Sequence, residues 1–219
     1  MDNDTEQNIL KKQVRFMSNS NASIYIMRHG RTEWNASGKL QGRQNSPLLP
    51  ESIEELYRMG SILCGCGISA LYSSPLERCR QTADIISKMI GIPALFIDDL
   101  SECDHGHCEG LSMDEAREKF PEFFYERETG DKWSVRWPGG ESYADLSVRV
   151  RQAVEKMDFT RPTLIIAHET VNKVLAGLLL GFDHYEIMQK KQKNSEIYRI
   201  NRAEMLLEIL QNQDESNII

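Results

Sequence analysis

The sequence predicts an α/β fold, a three-layer sandwich in which helices flank a largely parallel central sheet. Three observations carry that reading. Two short apolar runs, residues 24–27 (Ile-Tyr-Ile-Met) and 163–167 (Thr-Leu-Ile-Ile-Ala), are continuous rather than alternating, as expected of strands covered on both faces. The segments between such runs are helical candidates, and strands alternating with helices favour parallel pairing. At 219 residues the chain is long enough for one substantial core.

In chain order, strand 24–27 runs directly into a cation, an imidazole and a glycine, Arg28-His29-Gly30. A helix is expected over 51–63, a strand at 70–72, a helix over 76–90 and a strand at 94–97. Helices follow over 113–119 and 143–157. The second of these has the clearest start: Pro138-Gly139-Gly140 breaks the chain, and Ser142 followed by Asp145 resembles a capping box. Strand 163–167 and a helix over 171–180 complete the pattern. Residues 1–21 mix Asn, Asp, Gln and Ser with one basic patch, Lys11-Lys12-Gln13-Val14-Arg15, and are expected to form a flexible extension. Residues 22–210 are expected to form a single domain with an inserted lid at about 112–140, and 211–219 to fray.

Composition narrows the function. With 40% hydrophobic and 27% charged residues the chain is of ordinary globular type. No apolar run reaches membrane-spanning length and the N-terminal segment has no signal-peptide core, so a cytoplasmic location without a membrane partner is expected. The five cysteines form an odd, scattered set, which fits reduced packing thiols. A formal charge of −7 without a basic stripe argues against nucleic acid. An anionic substrate must therefore be held by a local arginine cluster. Nothing demands more than a monomer or weak homodimer.

In a parallel sheet, functional groups collect beyond the carboxyl ends of the strands. Here those ends deliver Arg28-His29-Gly30, Ser73-Ser74-Pro75-Leu76-Glu77-Arg78, Glu102 and His168. Two arginines, two histidines and a carboxylate suit one task. A phosphoryl group carries about two negative charges and three acceptor oxygens, which guanidinium forks match. An imidazole attacks phosphorus and splits one hard displacement into two easier ones. A second histidine donates to the equatorial oxygens, and a carboxylic acid protonates the leaving oxygen.

These residues carry a resemblance. Arg28-His29-Gly30-Arg31-Thr32-Glu33-Trp34-Asn35, Leu40-Gln41-Gly42-Arg43 and Ser46-Pro47-Leu48 resemble the signature of the histidine phosphatase superfamily, in its cofactor-dependent phosphoglycerate mutase-like branch. Further matches follow in family order: Ser73 to Arg78 with Gln81-Thr82-Ala83, Leu100-Ser101-Glu102, Glu109-Gly110, Pro138-Gly139-Gly140-Glu141-Ser142 and Ala167-His168. The resemblance implies a phosphoglycerate mutase-like fold. It makes His29 the phosphorylated nucleophile, Glu102 the proton donor, and Arg28, Arg78 and His168 phosphate-pocket residues. Asn35 matches a position that reaches the same phosphate, and Gln41 joins the substrate-binding set. No metal or other cofactor is implied, because the arginines and histidines supply the positive charge.

Three positions depart from the family pattern. Glu169 stands where glycine is frequent, Asn45 where aspartate is common and Ser52 where a helix-start glycine is common. A carboxylate at 169 repels a phosphate if it points inward, and favours ligands carrying a positive group; it is included with the substrate-binding residues. Cys103-Asp104-His105-Gly106-His107-Cys108 invites a zinc reading, but its spacing is too tight for the usual tetrahedral patterns, and a loop beside the pocket is preferred. Residues 120–137 concentrate six aromatic rings and a basic edge, Arg127, Lys132 and Arg136 with Arg117 just before them, and suit a cover over the pocket.

The resulting expectation is a metal-independent phosphomonoesterase acting on a small-molecule phosphate ester through a phosphohistidine. The rivals are a mutase that returns the phosphoryl group to its substrate, and a catalytically silent phosphate-binding module. The short Gln41-Gly42-Arg43 stretch and modest insertion resemble the phosphatase type. Every catalytic residue type is present rather than replaced, which disfavours the module.

Overall fold

A computed structural model describes residues 22–201 and 203–211. The expected extension over 1–21 and residues 212–219 of the expected frayed tail lie outside the described residues. Strand β1 (Ile24–Arg28) sends Ile24 and Ile26 into one core and Tyr25 and Met27 into another, on opposite faces of the sheet. Both faces are dry, so the run shows no hydrophobic alternation.

β1 pairs in parallel with β4 (Thr163–Ala167), in a register that sets Arg28 opposite Ala167. On the far side of β4 lies β2 (Ala70–Ser73), followed by β3 (Ala94–Phe96), again parallel. β3 is an edge strand, with Leu95 and Phe96 exposed. The other margin was not anticipated from sequence. There β5 (Ile197–Asn201) and β6 (Leu206–Leu210) form an antiparallel hairpin on β1, which gives the order β3-β2-β4-β1-β5-β6.

The helices follow in chain order. A single turn, α1 (Glu33–Ala36), was too short to recognise in advance. α2 (Pro50–Cys64) and α3 (Glu77–Ile90) cover the Tyr25 and Met27 face, where Leu56, Met59, Leu63 and Ile86 pack against Leu164 and Ile166. α4 (Met113–Lys119) and α5 (Pro121–Thr129) make up the inserted segment; α5 was not foreseen. α6 (Tyr143–Glu155) and α7 (Glu169–Leu180) cover the opposite face through Leu146, Val150, Val174 and Leu175, with α8 (His184–Gln189) beyond.

The capping box of α6 forms as its sequence requires: Asp145 N donates to Ser142 Oγ at 3.1 Å and Ser142 N to Asp145 Oδ2 at 2.8 Å. Such a cap stabilises a helix by about 1 kcal/mol. α7 starts two residues earlier than expected because His168 itself is its extended N-cap residue. No helix among the described residues is long and apolar enough to cross a membrane.

Candidate active site

The ladder between β1 and β4 continues one residue past the strands, where His29 N donates to Ala167 O at 3.0 Å. This sets His29 beside His168, with ring centroids 5.2 Å apart. Arg78, in the first turn of α3, reaches under the same place; it is 1% exposed and donates to the carbonyls of Gln44 at 2.6 Å and Gly42 at 2.7 Å. Arg28 Nη1 donates to Gln192 O at 2.7 Å and lies 3.1 Å from Glu169 Oε2. The Nε atoms of both arginines are buried without a partner. Buried donors are otherwise almost always satisfied, so the pair offers two free donors that can take up an oxyanion.

His29 Nδ1 lies 2.8 Å from Gly30 O. A carbonyl only accepts, so Nδ1 carries the proton and Nε2 holds the free lone pair. Burial, reinforced by Arg78 and Arg28, pushes the His29 imidazole well below its ordinary pKa, against the opposing pull of the Gly30 carbonyl. Its neutral, nucleophilic form is thereby favoured. Glycine at 30 follows from packing: a Cβ there would fall 2.6 Å from Ser52 Oγ and 3.0 Å from Leu56 Cδ1 of α2. Ser52 is itself small enough to admit this approach.

His168 is fully buried and does not line the cleft; it stands one layer behind His29, with Nε2 2.8 Å from Ser74 Oγ and 3.5 Å from Cys79 Sγ. Burial first, then Arg78 and His29, depress its imidazole strongly as well. A polar floor fixes this end of β1. Asn172 Nδ2 donates to Met27 O at 3.1 Å and to Gln192 Oε1 at 2.7 Å, Gln192 Nε2 to Ile26 O at 2.8 Å, and Asn194 Nδ2 to His29 O at 2.7 Å. Sequence reasoning gave Asn172, Gln192 and Asn194 no role. Their partners are backbone atoms up to 166 positions away, which no local pattern signals.

Glu102 faces the same cleft from the loop after β3. Its Oε1 accepts from Cys103 N at 2.8 Å, whereas Oε2 has only a long contact, 3.4 Å from Thr170 N. Oε2 is therefore the oxygen free to carry a proton. Arg149 of α6 holds this loop, donating to the carbonyls of Asp99, Ser101 and Glu102 and gripping both oxygens of Glu141 at 2.8 Å. Burial alone would raise the Glu141 carboxyl, but the Arg149 and Asp104 hydrogen bonds outweigh it and hold it below its ordinary value. The Glu141 motif was recognised in the sequence; Arg149, inside a helix without a motif, was not. The two loops meet backbone to backbone, and a Cβ on Gly140 would lie 2.2 Å from Asp104 O.

The cleft has a volume of about 660 Å³ and is lined by Arg28, His29, Asn35, Gln41, Arg78, Glu102 and Glu169, among others. Seven of the eight anticipated site residues thus share its wall. Asn35 also closes the α1 capping box, its Oδ1 accepting from Thr32 N at 3.1 Å. Gln41 donates to Thr32 Oγ1 and leaves a buried Oε1 without a partner. Glu169 points inward, but as a counter-ion: one oxygen meets Arg28 and the other lies 3.7 Å from Lys173 Nζ. From the inserted segment Phe124, Arg127, Lys132 and Trp137 reach the wall. In the Cys103 to Cys108 loop both thiols sink into the core, and His105 packs on Trp137 with ring centroids 4.5 Å apart. Among the described residues no group of three or more His, Cys, Asp or Glu side chains is placed to hold a metal ion.

Comparison with known proteins agrees with this geometry. Residues 24–214 match the model of the histidine phosphatase superfamily, branch 1. A Salmonella paratyphi B protein named "Probable phosphoglycerate mutase GpmB" is 31% identical over 185 residues, 83% of this chain and 85% of that protein. Among solved structures, the alpha-ribazole phosphatase from Shigella flexneri superposes with a TM-score of 0.73 at 21% identity, over 86% of this chain and 95% of that one. A mycobacterial glucosyl-3-phosphoglycerate phosphatase does so with a TM-score of 0.71 at 19% identity, over 87% and 97%. At such identities the likeness of these two structures is one of fold. The ordered motifs, the convergence of their side chains on one cleft and the match over most of the chain give one conclusion: this chain belongs to branch 1 of the histidine phosphatase superfamily.

Proposed function

We propose that the protein is a phosphomonoesterase that hydrolyses a small phosphorylated metabolite through a phosphohistidine, without a metal. The observation that carries this reading is the pair of unpartnered, buried Nε donors of Arg28 and Arg78 around a histidine whose Nε2 lone pair is free. The phosphoryl oxygens take up those donors. Nε2 of His29 then attacks phosphorus as the ester P–O bond breaks, and the Glu102 carboxyl gives its proton to the departing alkoxide. Glu102, now a carboxylate, takes a proton from water; the resulting hydroxide attacks the phosphohistidine, the P–N bond breaks and phosphate leaves. His168 acts from behind, orienting His29 and the donors as charge moves to the equatorial oxygens. The inserted segment at about 112–140 serves as the cover that sets substrate choice.

The 31%-identical relative's name favours a second reading, a phosphoglycerate-type mutase, which shares the first half-reaction but returns the phosphoryl group to the substrate. A silent phosphate-binding module is the reading from another class. One experiment separates all three: a chromogenic aryl phosphate, with and without chelator, offered to the protein and to His29→Ala. Chelator-resistant hydrolysis lost in the variant supports the phosphatase. Absence of hydrolysis together with primer-dependent phosphoglycerate interconversion supports the mutase, and inertness in both assays with phosphate still bound supports the module.

A further inference from the structure

Eight cationic side chains and three carboxylates line the cleft, in a chain whose formal charge is −7. One phosphoryl group between Arg28 and Arg78 does not account for that excess. Arg117 is neutralised by Glu128. A second cationic group lies toward the inserted segment. Arg127 sits against the rings of Trp137 and Tyr143, 4.9 and 5.4 Å from their centroids, and its Nη1 is buried without a partner. Among the described residues no carboxylate lies within 4.0 Å of Arg127, Lys132 or Lys191. Lys173, only 8% exposed, has Glu169 alone, at 3.7 Å, and that carboxylate is already shared with Arg28.

Holding four like charges together in partly dry surroundings is unfavourable. The Lys132 ammonium shows it: burial, then Arg127, Lys173 and Lys191, push its pKa below the ordinary value. A guanidinium packed against rings with a donor unsatisfied is preorganised for an anion, because little side-chain freedom is left to lose on binding. Perturbed charges gathered in a cleft are candidates for a functional site.

We propose that Arg127, Lys132, Lys173 and Lys191 form a second anion site, so that the substrate carries another anionic group, carboxylate or phosphoryl, on the alcohol that leaves phosphorus when His29 attacks. The identity of the transferred group rests on the phosphatase reading above; the existence of the second site does not. Glu169 stands between the two sites, touching a cation of each, and separates them into two binding places rather than one broad one.

The test is equilibrium titration of His29→Ala protein, which binds without turnover, with three ligands on one skeleton: propane-1,3-diol monophosphate, its bisphosphate, and 3-phosphonooxypropanoate. At least one doubly anionic ligand is expected to bind about tenfold or more tightly than the monophosphate, and the tighter of the two identifies the preferred anion. Arg127→Gln in the same background should shrink that preference to about threefold or less, as should Lys132→Gln combined with Lys191→Gln, two exposed positions that leave the core intact. Equal binding of all three ligands, or a preference that survives both sets of substitutions, overturns the proposal. Hydrolysis by the unsubstituted protein is followed in parallel. Hydrolysis without the preference removes the second site alone, and the preference without hydrolysis removes the phosphatase reading alone.

Discussion

The two ends of the cleft are built differently. At the floor, His29, Arg28 and Arg78 are set by strand ends and by hydrogen bonds to backbone atoms, and each is largely buried. At the roof, Arg127 rests on rings of a short inserted helix and its neighbours, and Lys132 and Lys191 are exposed. A sheet edge fixes geometry to a fraction of an ångström, which bond making requires. An insertion tolerates change, which suits choice among substrates. On the proposed reading, the difference teaches that chemistry and selectivity are carried by parts of unequal rigidity.

The largest effect tests the floor. His29→Ala should lower hydrolysis by about 10⁴-fold or more, since a nucleophile and its supporting groups act as a unit; steady-state rates on an aryl phosphate measure it. A variant retaining a tenth of the activity would place the nucleophile elsewhere. Next comes acid stability. His29 and His168 are held far below their ordinary pKa by burial, and His105 is pushed down to about 4 by the same cause with Arg127 second. Below about pH 6.5 the unfolded chain takes up protons that the folded protein refuses, so stability falls as pH falls. Three such groups predict a loss of at most about 4 kcal/mol between pH 7 and 5.5, read by urea unfolding, and added phosphate should offset part of it at the floor.

Arg149→Met sharpens the comparison from outside the cleft. It leaves Glu141 with Arg43 and the Asp104 amide as its remaining partners and frees three carbonyls that hold the Glu102 loop, so unfolding free energy should drop by about 2 kcal/mol. With Glu102 as the proposed proton donor, hydrolysis of esters with poor leaving groups should suffer more than that of aryl phosphates. The smallest effect belongs to the boundary between the ends. Glu169→Gln removes the carboxylate 3.1 Å from Arg28, so inorganic phosphate should inhibit at about a fivefold lower concentration. Unchanged inhibition would show that Glu169 does not compete for the floor.

Legibility in the sequence followed the same division. The floor was readable because its side chains sit directly after unbroken apolar strands, as at Met27 to His29 and Ala167 to His168. The direction of Glu169 was not, since a helix-start carboxylate can turn either way until Arg28 and Lys173 are placed beside it. The β5 and β6 hairpin was missed for another reason. Leu206 and Ile209 are exposed and a charged residue interrupts each strand, Arg199 in β5 and Glu208 in β6, so neither is the continuous apolar run of the central strands. Arg149 escaped because its targets are main-chain carbonyls roughly fifty positions upstream, which carry no residue-type signature.

The contact between the His29 ring and the carbonyl of the next residue has a regiochemical consequence. A ring tethered through its pros nitrogen can accept phosphorus only at the tele position. Any adduct trapped by alkaline quench should therefore be the tele isomer, and reagents selective for the pros isomer should find nothing on this protein.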